Sequence, residues 1–267
     1  MSELVRSIAF NILARGKAFP TTLTDHDKVQ ALVRKLQPVN TAKGLRRLGP
    51  TGDGGYLVPD DLSGIEACYS PGVSFISGFE KDCADLGMKV FMADRSVEQP
   101  AEWHALFHFT KKYVGVTTDD DFMTIDNWVA STLPDAKSDL MLQIDIEGYE
   151  YEAFLAMSDA LLARFRIIVA EFHNLNQLWN QPFFGVASRA FEKILQTHTC
   201  VHIHPNNFHP TFERWGLSIP PAAEFTFLRK DRVVDPVGAT VFPHPLDSDS
   251  SPKAHFALPK CWYDNPQ

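Results

Sequence analysis

The strongest constraint on the fold is the alternation, between about residues 65 and 230, of short apolar runs with helical segments. Near-continuous apolar strands that alternate with helices are typical of a parallel sheet covered by helices on both faces. The last two runs have no helix between them, which predicts an antiparallel closing strand. We predict one α/β domain with a mostly parallel seven-stranded sheet. The seven predicted strands are IEACYS (65–70), MKVFMAD (88–94), KKYVGVT (111–117), DLMLQIDI (139–146), RIIVAEFH (166–173), TCVHIHPNN (199–207) and AEFTFLRKD (223–231).

The regions on either side of this pattern differ from it in composition. Residues 1–45 are predicted to be a helical segment in two pieces, the second capped by Thr24 or Asp25 and stopped by Pro38. The stretch RRLGPTGDGGYLVPDDL (46–62) is too rich in glycine and proline for a regular element. We predict a domain over 46–232 and an irregular tail over 233–267 that packs on it.

Composition limits the partners and the compartment. The formal net charge of −8 argues against nucleic acid as the main partner, because phosphate binding needs clustered Lys and Arg. We find no apolar run long enough to span a bilayer, and the amino-terminal stretch reads better as an amphipathic helix than as a signal peptide. The four cysteines are scattered without a C-x-x-C pair, which favours a reducing compartment. We therefore expect a cytoplasmic protein.

Ligands of an open parallel sheet bind beyond the carboxyl ends of its strands, so the residues that follow each strand are candidates. Gly72 follows the first strand, and the segment around it is not a G-x-G-x-x-G loop. Asp94 ends the second strand 22 residues later, a spacing that suits an acceptor of hydrogen bonds from a ribose diol. Alternatively, Gly72 could belong to a plain turn, and Asp94 could be a helix cap.

Acids and imidazoles follow the later strands. Asp145 and Glu147 leave one face of the fourth strand, whereas Glu150 and Glu152 are predicted to be a solvated first helical turn. A further set ends the fifth and sixth strands: Glu171, His173, His202, His204, Asn206 and Asn207. Convergence of these strand ends would suit a hard divalent cation, a general base, or both.

Several segments together resemble the FkbM-type methyltransferase family: the glycine-rich 46–62 segment, YSPGVSFISGFEKDCADLGMKVFMAD, LMLQIDIEGYEYEAF, AEFH, HPNN and AEFTFLRK. The resemblance extends over about residues 46–230. It implies a Rossmann-like class I fold, S-adenosylmethionine as methyl donor, and an oxygen of a carbohydrate or secondary metabolite as acceptor.

The resemblance also implies roles for individual residues. Ser70, Pro71 and Gly72 would shape the donor loop, Asp94 would hold the ribose hydroxyls, and Ser96 would lie beside the adenosine. The GDGGY segment, which includes Gly55 and Tyr56, would fold over the same pocket.

These observations give one leading hypothesis of function. The chain is predicted to be an S-adenosylmethionine-dependent O-methyltransferase that acts on a hydroxyl of a small molecule or glycan. His173 is the first candidate for the general base, because neutral imidazole is available near pH 7, and Glu147 is the second. A Mg²⁺ or Mn²⁺ ion on Asp145, Glu171 and His204 would orient the acceptor.

Two other functions remain open from the sequence. One is a nicotinamide-dependent oxidoreductase on a similar fold, which the missing G-x-G-x-x-G motif disfavours. The other is a non-catalytic binding module, which the acids and histidines at the strand ends disfavour. The identity of the acceptor and the oligomeric state are not readable from the sequence.

Overall fold

A computed structural model describes Leu13 and residues 20–73, 75–134 and 137–264. The first of the two predicted amino-terminal helical pieces lies almost entirely outside the described residues. The second forms helix α1, His26–Lys35, and its N-cap is Asp25, whose side chain accepts a hydrogen bond from the backbone N–H of Asp27.

The remaining elements follow in chain order. The strands are β1 Leu45–Leu48, β2 Tyr56–Pro59, β3 Ile65–Pro71, β4 Lys89–Ala93, β5 Phe107–Thr110, β6 Tyr113–Val114, β7 Phe122–Met123, β8 Asp139–Ile144, β9 Phe165–Phe172, β10 His198–Pro205, β11 Phe212–Arg214, β12 Leu217–Ile219 and β13 Ala223–Arg229. The further α-helices are α2 Gly78–Asp85, α3 Ile125–Thr132, α4 Glu150–Ala156, α5 Asp159–Leu162 and α6 Gln181–Thr197. Short 3₁₀ helices span Leu175–Trp179, Lys230–Arg232 and Lys260–Trp262.

The central sheet has seven strands in the order β10-β13-β9-β8-β3-β4-β5. The pairs from β9 to β5 are all parallel, and β13 runs antiparallel to both β9 and β10. The mostly parallel seven-stranded α/β fold is therefore as predicted, with the antiparallel strand inserted inside the sheet. The chain builds outward from β3 to β5 and then returns to β8, so the strand order reverses between β3 and β8. Such a switch point is where ligands bind in open α/β sheets.

The prediction for the third strand is wrong in position. The sheet strand is β5, which precedes the predicted KKYVGVT run and pairs with β4 from Val90↔Phe107 to Ala93↔Thr110. Tyr113 and Val114 form instead a small parallel ribbon with β7. The two lysines that open the predicted run do not suit a strand within a sheet covered on both faces.

The glycine-rich 46–62 segment is also more regular than predicted. Its ends form the antiparallel hairpin β1–β2, in register from Leu45↔Pro59 to Leu48↔Tyr56. The apolar residues Leu48, Tyr56 and Val58 are buried, and the glycines and Pro50 lie in the connecting loop.

The apolar core occupies both faces of the sheet. One face packs against α1, α3, α4 and α6, and the other packs against α2 and the β1–β2 hairpin. The strands β3, β4, β5, β8, β9 and β10 end at one common edge, where β13 begins. In the described part of the chain, no helix combines the length and the apolarity that a membrane crossing requires.

Candidate functional site

A cleft of about 1020 Å³ lies along the carboxyl-end edge of the sheet. Eight of the twelve site residues predicted from the sequence line it: Tyr56, Gly72, Asp94, Ser96, Asp145, Glu147, Glu171 and His173. The other four, Gly55, Ser70, Pro71 and His204, are not among its lining residues. The switch point between β3 and β8 therefore brings most of the predicted residues together.

Asp94 is at one end of the cleft, beyond β4. Its Oδ1 accepts hydrogen bonds of 2.6 Å from both the backbone N–H and the hydroxyl of Ser96. Ser96 therefore orients the carboxylate, while Oδ2 accepts no hydrogen bond from the described residues. Tyr113 and Phe122 also line the cleft, and they lie on the two-residue strands β6 and β7, which are too short to give a strand pattern in the sequence.

Gly72 directly follows β3, where the backbone lies against Asp145 at the end of β8. Its φ of +96° favours glycine, and a Cβ atom there would lie 1.6 Å from the carbonyl oxygen of Asp145. The close approach of the two backbones is enough to explain this glycine. Its presence is therefore not by itself a sign of a bound ligand.

Ser70 lies beneath the floor of the cleft and does not line it. Its buried hydroxyl is 2.6 Å from Oε1 of Glu80 and 2.7 Å from Oε1 of Gln143. Gln143 in turn donates to the hydroxyl of Tyr56 at 3.3 Å. Burial raises the pKa of Glu80, although the hydrogen bond with Ser70 opposes the shift. Ser70 thus supports the cleft-lining residues Glu80, Gln143 and Tyr56.

Gly55 faces the inside of the β1–β2 hairpin. A Cβ atom there would lie 2.0 Å from the carbonyl oxygen of Pro50 and 2.7 Å from the guanidinium of Arg47. Arg47 itself donates to the carbonyls of Pro50 and Gly52, both at 2.7 Å. The loop presents Asp53 and Gly54 to the cleft in place of Gly55.

His173 occupies the other end of the cleft and is surrounded by carboxylates. Its Nδ1 lies 3.2 Å from Oε1 of Glu150. Its Nε2 lies 3.5 Å from Glu147, 3.8 Å from Glu171 and 3.9 Å from Asp145.

Glu150 corrects one expectation from the sequence. The solvated first helical turn was predicted for Glu150 and Glu152, but only Glu152 is exposed, and Glu150 is fully buried. Glu150 Oε1 accepts from the backbone N–H groups of Ile146 and Gly148 at 3.0 and 3.1 Å, in addition to its contact with His173. The side chain caps the turn that precedes α4 and fixes the imidazole.

The surroundings of His173 change its protonation. Burial lowers the pKa of the imidazole, but the hydrogen bond and charge of Glu150, with Glu171 and Asp145, outweigh burial and raise the pKa to about 9. Burial also raises the pKa of Asp145, as does the charge of Glu171. The neutral imidazole expected near pH 7 is therefore not the resting form when the cleft holds no cation.

The residues that the structure groups as potential cation ligands differ from the three ligands predicted from the sequence. In the described part of the chain, ligand atoms of Asp145, Glu147 and His173 lie within 4.8 Å of one another. Glu171 is held instead by Asn206, whose Nδ2 donates to its Oε1 at 2.8 Å. His204 is buried away from the cleft lining, with its Nδ1 3.5 Å from Oδ2 of Asp247. The structure does not bring His204 to the other two predicted ligands.

The backbone around this cluster is unusual. Glu147 and Asn174 both have left-handed conformations, with φ of 56° and 59°. A Cβ atom on the intervening Gly148 would lie 2.9 Å from Nδ2 of Asn174. Such outliers persist only where the surrounding structure enforces them, and they are frequent at functional sites.

Part of the chain matches the model of a known protein family. The fold and site define an α/β protein with a cleft at the switch point of a doubly wound sheet. Residues 75–200, just under half of the chain, match the family model described as "Methyltransferase FkbM domain". This match over residues 75–200 confirms the resemblance seen in the sequence. The matched segment contains Asp94, Asp145, Glu147, Glu171 and His173.

The other comparisons are less informative. No curated protein matches the chain. Among solved structures, the chain is similar to one titled "Crystal Structure of EvdMO1", with 12% sequence identity and a TM-score of 0.30. That similarity covers 77% of this chain and 47% of the other, so the chain spans about half the length of the solved structure that it matches.

Proposed function

We propose that the protein is a Rossmann-like class I methyltransferase that transfers a methyl group from S-adenosylmethionine to a sugar hydroxyl. The observation that carries the proposal is the continuous cleft on the switch point, with Asp94 at one end and His173 at the other. A volume of about 1020 Å³ is at the upper end of small-molecule sites, which suits a donor and an acceptor together.

The residues of the cleft fit the donor. Asp94, oriented by Ser96, has a carboxylate oxygen free to accept from a ribose hydroxyl. Tyr113 and Phe122 offer apolar surface beside it for an adenine ring. Glu80 and Asp145, which line the cleft between the two ends, suit a positively charged sulfonium.

The residues also fit a hard divalent cation. Oδ1 of Asp145 is buried without a hydrogen-bond partner among the described residues, and Glu147 lies beside it. Mg²⁺ is commonly held by one or two carboxylates with water completing its shell, so Asp145 and Glu147 would suffice. When bound there, such an ion would lower the pKa of the acceptor hydroxyl. We therefore replace the predicted ligands Glu171 and His204 with Glu147.

The chain's own residues would handle the proton. As the acceptor oxygen bonds to the methyl carbon, the carbon–sulfur bond breaks and its electrons stay on sulfur. The hydroxyl proton passes to Nε2 of His173, and Glu150 stabilises the imidazolium through Nδ1. Positive charge beside Asp145 and Glu171 offsets the carboxylates that hold the pKa of His173 near 9, which frees the ring to accept that proton.

Donor titration and turnover test the proposal. Calorimetry with S-adenosylmethionine and S-adenosylhomocysteine should give binding, and absence of binding to both would refute the proposed function. His173→Gln should lower methyl transfer about 10²–10⁴-fold while donor affinity stays unchanged. The exposed His255, paired with Asp249, supplies the control His255→Gln. Chelation should reduce turnover and Mg²⁺ should restore it, whereas indifference to chelator would remove the ion from the scheme.

A further inference from the structure

Acidic side chains are prominent in the lining of the cleft. Six carboxylate residues line it: Asp53, Glu80, Asp94, Asp145, Glu147 and Glu171. Among the lining residues that the structure describes there is no lysine or arginine, and His173 and His209 are the basic side chains. Phosphate and carboxylate ligands are usually recognised by Arg, Lys or free backbone N–H groups.

The groups that could receive an anion at the His173 end are already engaged. His173 is surrounded by four carboxylates, those of Asp145, Glu147, Glu150 and Glu171. The backbone N–H groups before helix α4 donate to the side chain of Glu150 rather than to the cleft. An anionic acceptor would therefore lose its hydration without gaining a cationic side chain from the described residues. A divalent ion held by Asp145 and Glu147 would have its charge balanced by those two carboxylates, so it would not make this end of the cleft cationic.

Two exposed aromatic rings flank the same end of the cleft. Tyr149 is 64% exposed and follows Glu147 by two residues, and Phe208 is 44% exposed and follows Asn206 by two. Asn206 holds Glu171, so both rings are tied in sequence to residues of the His173 cluster. Exposed rings beside hydrogen-bonding acids match what a sugar offers, namely a C–H face and several hydroxyl donors.

We propose that Tyr149 and Phe208 form an acceptor subsite for a neutral or amino sugar, and that the acidic lining, which has no Lys or Arg among its described residues, excludes acceptors with a phosphate or carboxylate. This inference rests on the proposed function and narrows its substrate class. Hydroxyl and ammonium groups donate to the lining carboxylates, whereas nucleotide-linked, phosphorylated and uronic acid acceptors meet like charge. A phenolic acceptor would use the rings but would leave most of these carboxylates without donors.

A panel of matched hexosides tests the charge selectivity. The methyl glycoside of glucose is compared with its 2-amino, 6-phosphate and 6-carboxylate counterparts, and likewise for galactose and mannose, with labelled S-adenosylmethionine as donor. Neutral and amino members should have a kcat/KM at least about tenfold above the anionic members. Equal or faster turnover of the anionic members would overturn the inference. So would intact donor binding without turnover of any neutral or amino member.

Variants test the ring subsite. Tyr149→Ala and Phe208→Ala should each raise the acceptor KM about three- to tenfold and leave the donor Kd unchanged. Trp103→Ala is the matched control, because Trp103 is 83% exposed and does not line the cleft. An unchanged acceptor KM in both ring variants would overturn the subsite. Donor titration distinguishes a failure of the acceptor subsite from a failure of the proposed function, since only the absence of donor binding refutes the proposed function itself.

Discussion

At the scale of single residues, Glu150 determines how the His173 end of the cleft is organised. One buried carboxylate oxygen accepts from two backbone N–H groups and contacts the imidazole. It therefore fixes the turn that carries Glu147 and the orientation of the ring that faces it. The Glu150 carboxylate thus both caps the turn before α4 and contacts the imidazole of His173.

Replacing this carboxylate gives a direct prediction. Glu150→Gln removes the charge that contributes most to raising the pKa of His173 against the opposing effect of burial, so that pKa should fall from about 9 toward the ordinary value of 6.5. Carbon-detected NMR titration of labelled imidazoles in chelator-treated protein measures the shift, with His173→Gln to assign the signal. Glu152→Gln, on the exposed side of the same helix, should leave the His173 titration unchanged.

The same pair implies a pH dependence of stability. Because the folded pKa of His173 is raised, its contribution to the free energy of unfolding is full below about pH 6.5 and is lost as the pH rises through about 9. The stability difference between wild type and Glu150→Gln should therefore shrink over that interval. A difference that instead grows with pH would contradict this assignment of the raised pKa.

At the scale of elements, the backbones that follow β3 and β8 approach each other closely at Gly72 and Asp145, which both line the cleft. Gly72→Ala should destabilise the fold by at least about 3 kcal/mol, because the added methyl meets the Asp145 carbonyl in a left-handed backbone conformation. Gly44→Ala isolates the conformational part, since Gly44 has φ +68° and no atom within 4 Å of the added Cβ. It should cost about 1–2 kcal/mol. Urea denaturation measures the free energy of unfolding of both variants. Equal decreases would mean that the Asp145 backbone moves to make room for the added methyl group.

Elements were predictable where local pattern and tertiary environment agree. The strands β3, β4, β8, β9, β10 and β13 lie within about two residues of the predicted runs, because each is an apolar run buried in the sheet. The run YEAFLAMSDALLARF (151–165) has the pattern of a single helix, but the chain forms α4 and α5 there, since the Ser158 side chain caps a new helix by accepting from the backbone N–H of Leu161. Whether Ser158 caps a helix depends on where the chain turns, which the local sequence pattern does not specify.

For the candidate site, the sequence predicts which residues follow the strands, but it does not predict their side-chain partners. Position after a strand brought Asp94, Asp145 and His173 to the cleft, but the side-chain partners depend on packing that spacing does not encode. His204 illustrates this, because it leaves the strand on a face covered by the tail and contacts Asp247. Glu150 differs from its expectation for the same reason, since a carboxylate in a first helical turn is usually solvated but this one is buried.

At the scale of the whole molecule, the carboxyl-terminal tail is attached to the sheet through buried polar contacts. Asp247 lies 2.8 Å from Nε2 of His202 and 3.5 Å from Nδ1 of His204, with the carboxylate and both rings nearly inaccessible. Asn207 donates to the carbonyls of Ser251 and Lys253 and accepts from Ser251. The two adjacent asparagines thus have different partners, since Asn206 contacts Glu171 in the cleft and Asn207 contacts the tail.

These contacts predict that the tail depends on the charge of Asp247. Burial raises the pKa of Asp247, but hydrogen bonds and charges from His202 and His204 outweigh it and hold the pKa well below the usual range. Asp247→Asn should therefore lower the free energy of unfolding at pH 7 by about 2 kcal/mol or more, because two buried rings lose their charged partner. Since a depressed pKa stabilises above about pH 4, the difference from wild type should shrink as the pH falls below that value.

Limited proteolysis supplies the structural measurement and its control. In Asp247→Asn, trypsin should cleave after Lys253 faster than in wild type, because the segment held by Asn207 opens more often. Asp249→Asn changes a nearby acid whose partner His255 is exposed, so its stability should stay within about 0.5 kcal/mol of wild type. If the two variants are cleaved and unfold alike, the buried Asp247 contacts do not hold the tail, and its attachment depends on Asn207 and the apolar contacts of Trp262 instead.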